Sequence, residues 1–274
     1  MQDRNGFLHG DSNRGRAMDI RRAALFAGMA SMLLAVTAGA GVSYTFATDC
    51  AAGTGASLSC ANGRLGVSAW SNTVGTANRY IENATVVNYG SYGLGITNAD
   101  SSLPSGADAG EGTSPEHAID NNGRYDALLL DFGAGNQFGL TGFRNGWYST
   151  DSDMSFLAYT GSGDALAGLA SRTLSFGDAA SDPASLLNNG WTRVSDYADA
   201  GTVARSLTAG VASRYWLVSA YVPMSATYSL SVGNDYVKLA AIEGSYLRQV
   251  PLPATWWLLV PGLLWLYRLR SRRA

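Results

Sequence analysis

The chain has 274 residues, of which 46% are hydrophobic and 15% charged, with 33 glycines and a formal net charge of −2. This composition excludes a disordered, highly charged chain. Long apolar runs occur only at the two ends, which excludes a polytopic membrane protein. Nine of the 19 cations are arginines in the first 22 and last seven residues, leaving ten cations against 18 anions between them. Such an acidic body repels phosphate backbones and argues against nucleic-acid binding.

Residues 1–17 are polar, whereas Met18 followed by Asp-Ile-Arg-Arg makes a conventional start to an export signal. Arg21 and Arg22 precede an uncharged run from Ala23 to Val42, and Ala38-Gly39-Ala40 gives a small-x-small pattern near its end. A basic n-region, an apolar h-region and small residues at −3 and −1 are what a signal peptidase reads. The expected organisation is an N-terminal extension and signal helix over 1–40, translated from Met18 and cut after Ala40, then a body over 41–249 and a sorting segment over 250–274.

Cys50 and Cys60 follow the expected cut. In an oxidising compartment a pair this close forms a disulfide, and a C-x₉-C spacing with no nearby histidine does not suggest zinc.

The body reads as all-β. Short runs rich in Val, Ile, Tyr, Phe, Trp and Thr alternate with Gly/Asn/Asp/Ser turns, and no long helix-period segment occurs. Strands are expected near 64–70, 84–89, 92–97, 125–132, 137–144, 154–160, 169–175, 191–197, 203–208, 213–222, 227–232 and 235–247. In the run 213–221, Tyr215, Leu217, Ser219 and Tyr221 share one face and Trp216, Val218 and Ala220 the other. Both faces are largely apolar, as in a buried central strand. About a dozen such strands favour a single antiparallel β-sandwich or jelly-roll-like domain. Residues 99–115 and 176–190 read as long loops, the second with a turn of helix near 183–187.

Few residues in the body offer chemistry. Its single histidine, His117, excludes a two-imidazole metal site, and no G-x-S-x-G elbow is present to support a serine hydrolase. The carboxylates are more suggestive. Asp120-x-Asn-Gly-x-x-Asp126 and Asp151-x-Asp153 offer hard oxygen ligands around turns, the donor type that calcium takes. The competing reading makes Asn-Asn-Gly at 121–123 a hairpin-type turn and the aspartates turn caps. Trp70, Trp147, Trp191 and Trp216 could stack on sugar rings or pack the core.

The C-terminus begins Val250-Pro251-Leu252-Pro253-Ala254. Residues 254–267 are uncharged and would span about 21 Å as a helix. Arg268, Arg270, Arg272 and Arg273 follow and should stay cytoplasmic by the positive-inside rule. Two prolines hold an extended segment that a protease can grip, the apolar stretch arrests transit in the inner membrane, and the arginines stop complete translocation. Residues 250–274 resemble the PEP-CTERM class of sorting signals in its V-P-L-P-A variant, all five motif letters matching. That resemblance implies processing by an exosortase, a membrane cysteine protease, with the body released to or fixed on a bacterial surface among exopolysaccharide. A second resemblance is carried by His117-Ala-Ile-Asp120-Asn-Asn-Gly-Arg-Tyr-Asp126, Gly146-Trp147, Asp151-Ser-Asp153, Ser213-Arg-Tyr-Trp216 and Asn234-Asp-Tyr-Val-Lys-Leu239. This pattern is similar to a family of exosortase-dependent surface proteins, and it implies no activity.

These readings converge on an exported, exosortase-processed surface or matrix protein, structural or adhesive and not an enzyme. The alternative is a calcium-assisted module that binds exopolysaccharide.

Overall fold

A computed structural model describes residues 36–74, 80–98, 113–174, 182–223 and 230–249. The signal segment up to residue 35, the sorting segment 250–274 and most of the loop expected at 99–115 lie outside them.

In chain order the strands are β1 (Val36–Thr45), β2 (Gly53–Gly55), β3 (Ser57–Cys60), β4 (Leu65–Val74), β5 (Tyr80–Asn88), β6 (Leu94–Thr97), β7 (Ile119–Asp120), β8 (Asp126–Asp131), β9 (Phe138–Thr150), β10 (Met154–Tyr159), β11 (Trp191–Tyr197), β12 (Arg205–Ser206), β13 (Tyr215–Ala220) and β14 (Asp235–Gln249). The expected antiparallel β body is present, as one continuous sheet in the order β11-β10-β13-β8-β4-β5-β6-β14-β9-β12. β1 and β7 are added on β14, β2 on β5 and β3 on β4.

Two cores follow from the side-chain alternation of three central strands. Leu128 and Leu130 of β8, Phe156 of β10 and Trp216 and Val218 of β13 enter the larger core. Their neighbours Ala127, Leu129, Leu157, Tyr215 and Leu217 enter the smaller one on the opposite face. Sheet curvature closes the larger core. The first half of β5 pairs with β4 and its second half with β6, so β5 belongs to both halves of the sheet. Val237, Leu239 and Ile242 of β14 and Leu140 and Phe143 of β9 thereby face the central strands across that core. The two halves also meet directly. Phe138 and Ser213 exchange backbone hydrogen bonds of 2.9 and 3.1 Å, and Trp216 Nε1 donates to Phe138 O at 2.9 Å.

The smaller core is roofed by the β10–β11 connection, through Ala165, Leu169, Leu174 and Leu186. No strand forms at the described part of 169–175. After Gly168 (φ +72°), residues Leu169–Ser171 make a 3₁₀ turn. Leu169 and Leu174 each drop into the core without a ladder, so an apolar run here is a lid and not a strand. Within the second expected loop a 3₁₀ turn spans Leu186–Asn189, capped where Ser185 Oγ accepts from Leu187 N at 3.2 Å. The expected strand at 203–208 shrinks to the two residues of β12, whereas β9 runs on to Thr150. Of the strand expected at 227–232, only residues 230–232 are described, and they form none.

Cys50 and Cys60 form the expected disulfide, with Cys60 fully buried in the larger core. The bond ties the helical turn Phe46–Asp49 to β3. Replacing both cysteines (Cys50→Ser with Cys60→Ser) restores the conformational freedom of a loop about ten residues long. We expect a loss of about 2–3 kcal/mol in urea unfolding.

Candidate functional site

A carboxylate cluster lies at one end of β14, and a lone lysine lies on its outer face.

The cluster is built by three segments that lock together by backbone contacts. Asp151 follows β9, and its N–H donates to Asn234 O at 3.1 Å. Ser152 O accepts from Ala200 N at 3.3 Å, and Ser152 Oγ accepts from Gly201 N at 2.9 Å. These contacts bring the β11–β12 loop alongside, with Asp199 in a left-handed conformation (φ +48°). One carboxylate oxygen from each of Asp151, Asp153 and Asp199 then lies within 4.8 Å of the others. Asp235 sits beneath them, fully buried. Its Oδ1 accepts from Asp153 N at 2.8 Å and its Oδ2 from Asn121 Nδ2 at 2.6 Å.

The electrostatics follow from burial and crowding. Burial, with Asp151 and Asp199 adding their charge, raises the Asp153 carboxyl above the usual carboxylate range. Asp235 is pushed up to about 7, chiefly by burial and further by Asp153 and Asp151, against the hydrogen bonds from Asp153 N and Asn121. Three converging carboxylates offer hard oxygen donors of the kind a divalent cation takes, with water completing the six to eight positions that calcium fills.

Of the four aspartates expected to form a calcium site, Asp151 and Asp153 come together, joined by Asp199. Asp120 and Asp126 are not in that group. Asp120 lies in β7 opposite Tyr236, and its Oδ1 accepts from Asn122 N at 3.0 Å as a turn cap. Asp126 opens β8, where Ser219 Oγ donates to its carbonyl. Asn-Asn-Gly at 121–123 is not a hairpin turn, because β7 pairs with β14 and not with β8. Asn121 is instead a buried clamp. Its Oδ1 accepts from Gly233 N and Asp235 N, and its Nδ2 donates to Tyr221 O as well as to Asp235.

Lys238 is 4% exposed. Its neighbours on β14, Val237 and Leu239, enter the larger core, which leaves Lys238 on the outer face. There the 3₁₀ turn Gly90–Tyr92 presses against β9, so closely that a Cβ at Gly146 would lie 2.5 Å from the carbonyl oxygens of Ser91 and Tyr92. The Lys238 ammonium is held 4.2 Å from the centre of the Tyr89 ring, 4.5 Å from that of Trp147 and 2.8 Å from His117 Nε2. His117 is thus part of a cage around a buried cation. Burial lowers the Lys238 ammonium to about 8.

Of the tryptophans considered for sugar stacking, Trp216 and Trp191 are buried in the two cores and Trp147 packs on Lys238. Trp70 is half-buried and donates to Ser68 Oγ at 3.0 Å. The sorting motif Val250, Pro251, Leu252, Pro253 and Ala254 and the basic end Arg268, Arg270, Arg272 and Arg273 lie outside the described residues. No helix among the described residues is long and apolar enough to cross a membrane.

Comparison of the chain with models of known protein families returns no match, and comparison with curated proteins returns none.

The caged lysine makes stability depend on pH in a defined direction. In the unfolded chain a lysine titrates near 10.4, and in the fold Lys238 titrates at about 8. Between these values the unfolded state binds more protons, so stability rises with pH across that window, and below it the full cost of burying the charge is present. Lys238→Met removes the charge and keeps the stem. We expect the variant to be more stable than the parent at pH 7 and to lose that advantage by about pH 10, measured by chemical unfolding at each pH.

Proposed function

We propose that this chain is an exported, exosortase-processed protein of a bacterial surface or extracellular matrix, with a structural or adhesive role and no catalysis. The observation that carries the reading is the tripartite tail: Val250-Pro251-Leu252-Pro253-Ala254, an uncharged stretch to Tyr267, then four arginines in the last seven residues. Signal peptidase acts at the N-terminal leader, the exosortase at the tail, and the tail occupies the inner membrane only in transit. The curled sheet is read as a sandwich-like, jelly-roll-related body. Its disulfide suits an oxidising compartment, and its acidic surface gives nucleic acid no purchase.

On this reading, the pairing of β1 with β14 supports an order for the two proposed cuts. β1 pairs with β14 in a register that sets Val36 against Gln249, Thr37 against Arg248 and Ala38 against Leu247. On the other side, the β9 ladder ends at Tyr246 opposite Phe138, with one more hydrogen bond from Leu247 N to Gln137 O. Removal of residues up to Ala40 therefore strips Arg248 and Gln249 of ladder partners just ahead of the motif. A protease binds its substrate as an extended, unpaired strand, so leader removal exposes the approach to Val250.

Intact mass of the protein recovered from its own cells tests the reading. We expect a chain that starts near Gly41 and ends within 250–254. Retention of Arg273 in the mature form would overturn it. Ala40→Leu, which blocks the leader cut, should leave the tail intact as well; normal tail removal in that variant would refute the order of events.

A second reading, a calcium-assisted module that binds exopolysaccharide, is favoured by the convergence of Asp151, Asp153 and Asp199. Under it, millimolar calcium produces a saturable rise in melting temperature, and Asp199→Asn weakens the rise without lowering the calcium-free melting temperature. No calcium shift in the parent protein would remove this reading.

A further inference from the structure

The smaller core opens at one edge into a cleft apart from the carboxylate cluster and from Lys238. Tyr159, the last residue of β10, forms a ridge between two hollows. One, of about 780 Å³, is bordered by Asn136, Gln137, Asp164, Arg214 and Tyr215. The other, of about 380 Å³, is bordered by Asp164, Arg172, Asn188, Asn189 and Trp191. Tyr159, Gly161 and Asp164 line both.

The ridge is rigidly built. Thr160 N and Gly161 N both donate to Gly190 O at 2.9 Å, drawing the two ends of the β10–β11 connection together beneath the ring. A Cβ at Gly190 would lie 2.7 Å from Tyr159 Cε2, and one at Gly161 would lie 3.0 Å from Tyr159 Cζ. Only glycine at both positions lets the backbone seat the ring so closely. The Tyr159 hydroxyl donates to Ser162 O at 3.3 Å, and Trp191 meets the ring edge-on at 5.5 Å. Buried Ser213 holds the neighbouring strand in place, its Oγ lying 2.7 Å from Tyr159 O and 2.8 Å from Tyr215 O. Arg214 is fixed across the larger hollow, paired through two contacts of 2.7 and 2.8 Å with Asp131 and 4.5 Å above the Tyr215 ring.

The chemistry selects a class of ligand. An aromatic ring held on edge-packed glycines suits the C–H face of a sugar ring. Side-chain amides, a carboxylate and a guanidinium around it suit hydroxyl groups, which both donate and accept. The charges balance: Arg214 is already paired with Asp131, and Asp164 shares the second hollow with Arg172. A balanced rim gives an anionic ligand no advantage. Two hollows joined over one ridge suit a chain rather than a single ring.

We propose that this cleft binds a neutral oligosaccharide that lies across Tyr159 and places rings in both hollows. The proposal goes beyond both readings above by naming a calcium-independent surface and its ligand class, and it does not use the Asp151–Asp153–Asp199 cluster.

The test is calorimetric titration of the protein purified from its own cells with malto-, cello-, laminari- and xylohexaose, the matching disaccharides and oligogalacturonate, each with calcium and with EDTA. At least one neutral hexaose should bind, about tenfold tighter than its disaccharide and equally well in EDTA. Tyr159→Ala should weaken binding about tenfold, and Tyr159→Phe should retain it. Asp164→Asn, at an exposed side chain, should weaken binding with an unchanged melting temperature, which covers the case in which Tyr159→Ala fails to fold. Binding of no neutral sugar, binding of oligogalacturonate alone, or equal affinity for disaccharide and hexaose would each overturn the proposal. Binding lost in EDTA but indifferent to Tyr159 and Asp164 would overturn the cleft and leave the calcium-assisted reading standing.

Discussion

Leu128 and Leu130 point into one core while Ala127 and Leu129 point into another, so neither face of β8 meets water. The same holds for β10 and β13. A sheet with three such strands at its centre must be covered twice, and the rest of the architecture answers that requirement. On one side the sheet covers itself by curling through β5 until β9 and β14 lie over the central strands. On the other side the β10–β11 connection supplies Leu169, Leu174 and Leu186 as a roof. The cleft at Tyr159 lies where that roof begins.

Polar groups gather where this covering leaves the sheet ends and outer face to be satisfied. Asn121 uses its amide to hold Asp235 and the backbone at Gly233 and Tyr221, adding the end of β13 to the pairing that already joins β7 and β14. Lys238 shows the opposite solution. With its strand neighbours committed to the core, the side chain on the far face is enclosed by Tyr89, Trp147 and His117. Ring faces and one imidazole nitrogen then replace the water that an ammonium would otherwise hold, which offsets only part of the desolvation cost.

Much of the fold was legible in the chain. Alternation in Tyr215–Ala220 named both faces of β13 correctly, because each face is buried in its own core. The Cys50–Cys60 pair was legible from its close spacing together with the expected oxidising compartment. Other features were hidden for physical reasons. β1 begins inside the apolar run that reads as a leader, where Ala and Gly carry no strand signature. β2, β3 and β7 are two to four residues long, too short to show a period. Leu169 and Leu174 resemble strand residues because burial, not pairing, selects them. At the carboxylate cluster the Asp151-x-Asp153 spacing was visible, but Asp199 arrives from a loop whose approach depends on Ser152. Asn121 sits in an Asn-Asn-Gly run that advertises a turn and conceals a clamp. Nothing in the spacing of Tyr159, Gly161 and Gly190 announces that two glycines seat one ring.

The register of β1 on β14 has a mechanical side. Val36 lies opposite Gln249, so the outer ends of β1 and β14 share one rung of an antiparallel ladder. Tension between these two ends loads that rung alone, and the ladder opens like a zipper, one pair of hydrogen bonds at a time. Tension between Gln249 and the far half of the sheet acts differently. It must slide β14 along the whole of β9, from Tyr246–Phe138 to Asp235–Thr150, loading many bonds together. The same strand is weak when peeled from its end and strong when pulled along its length.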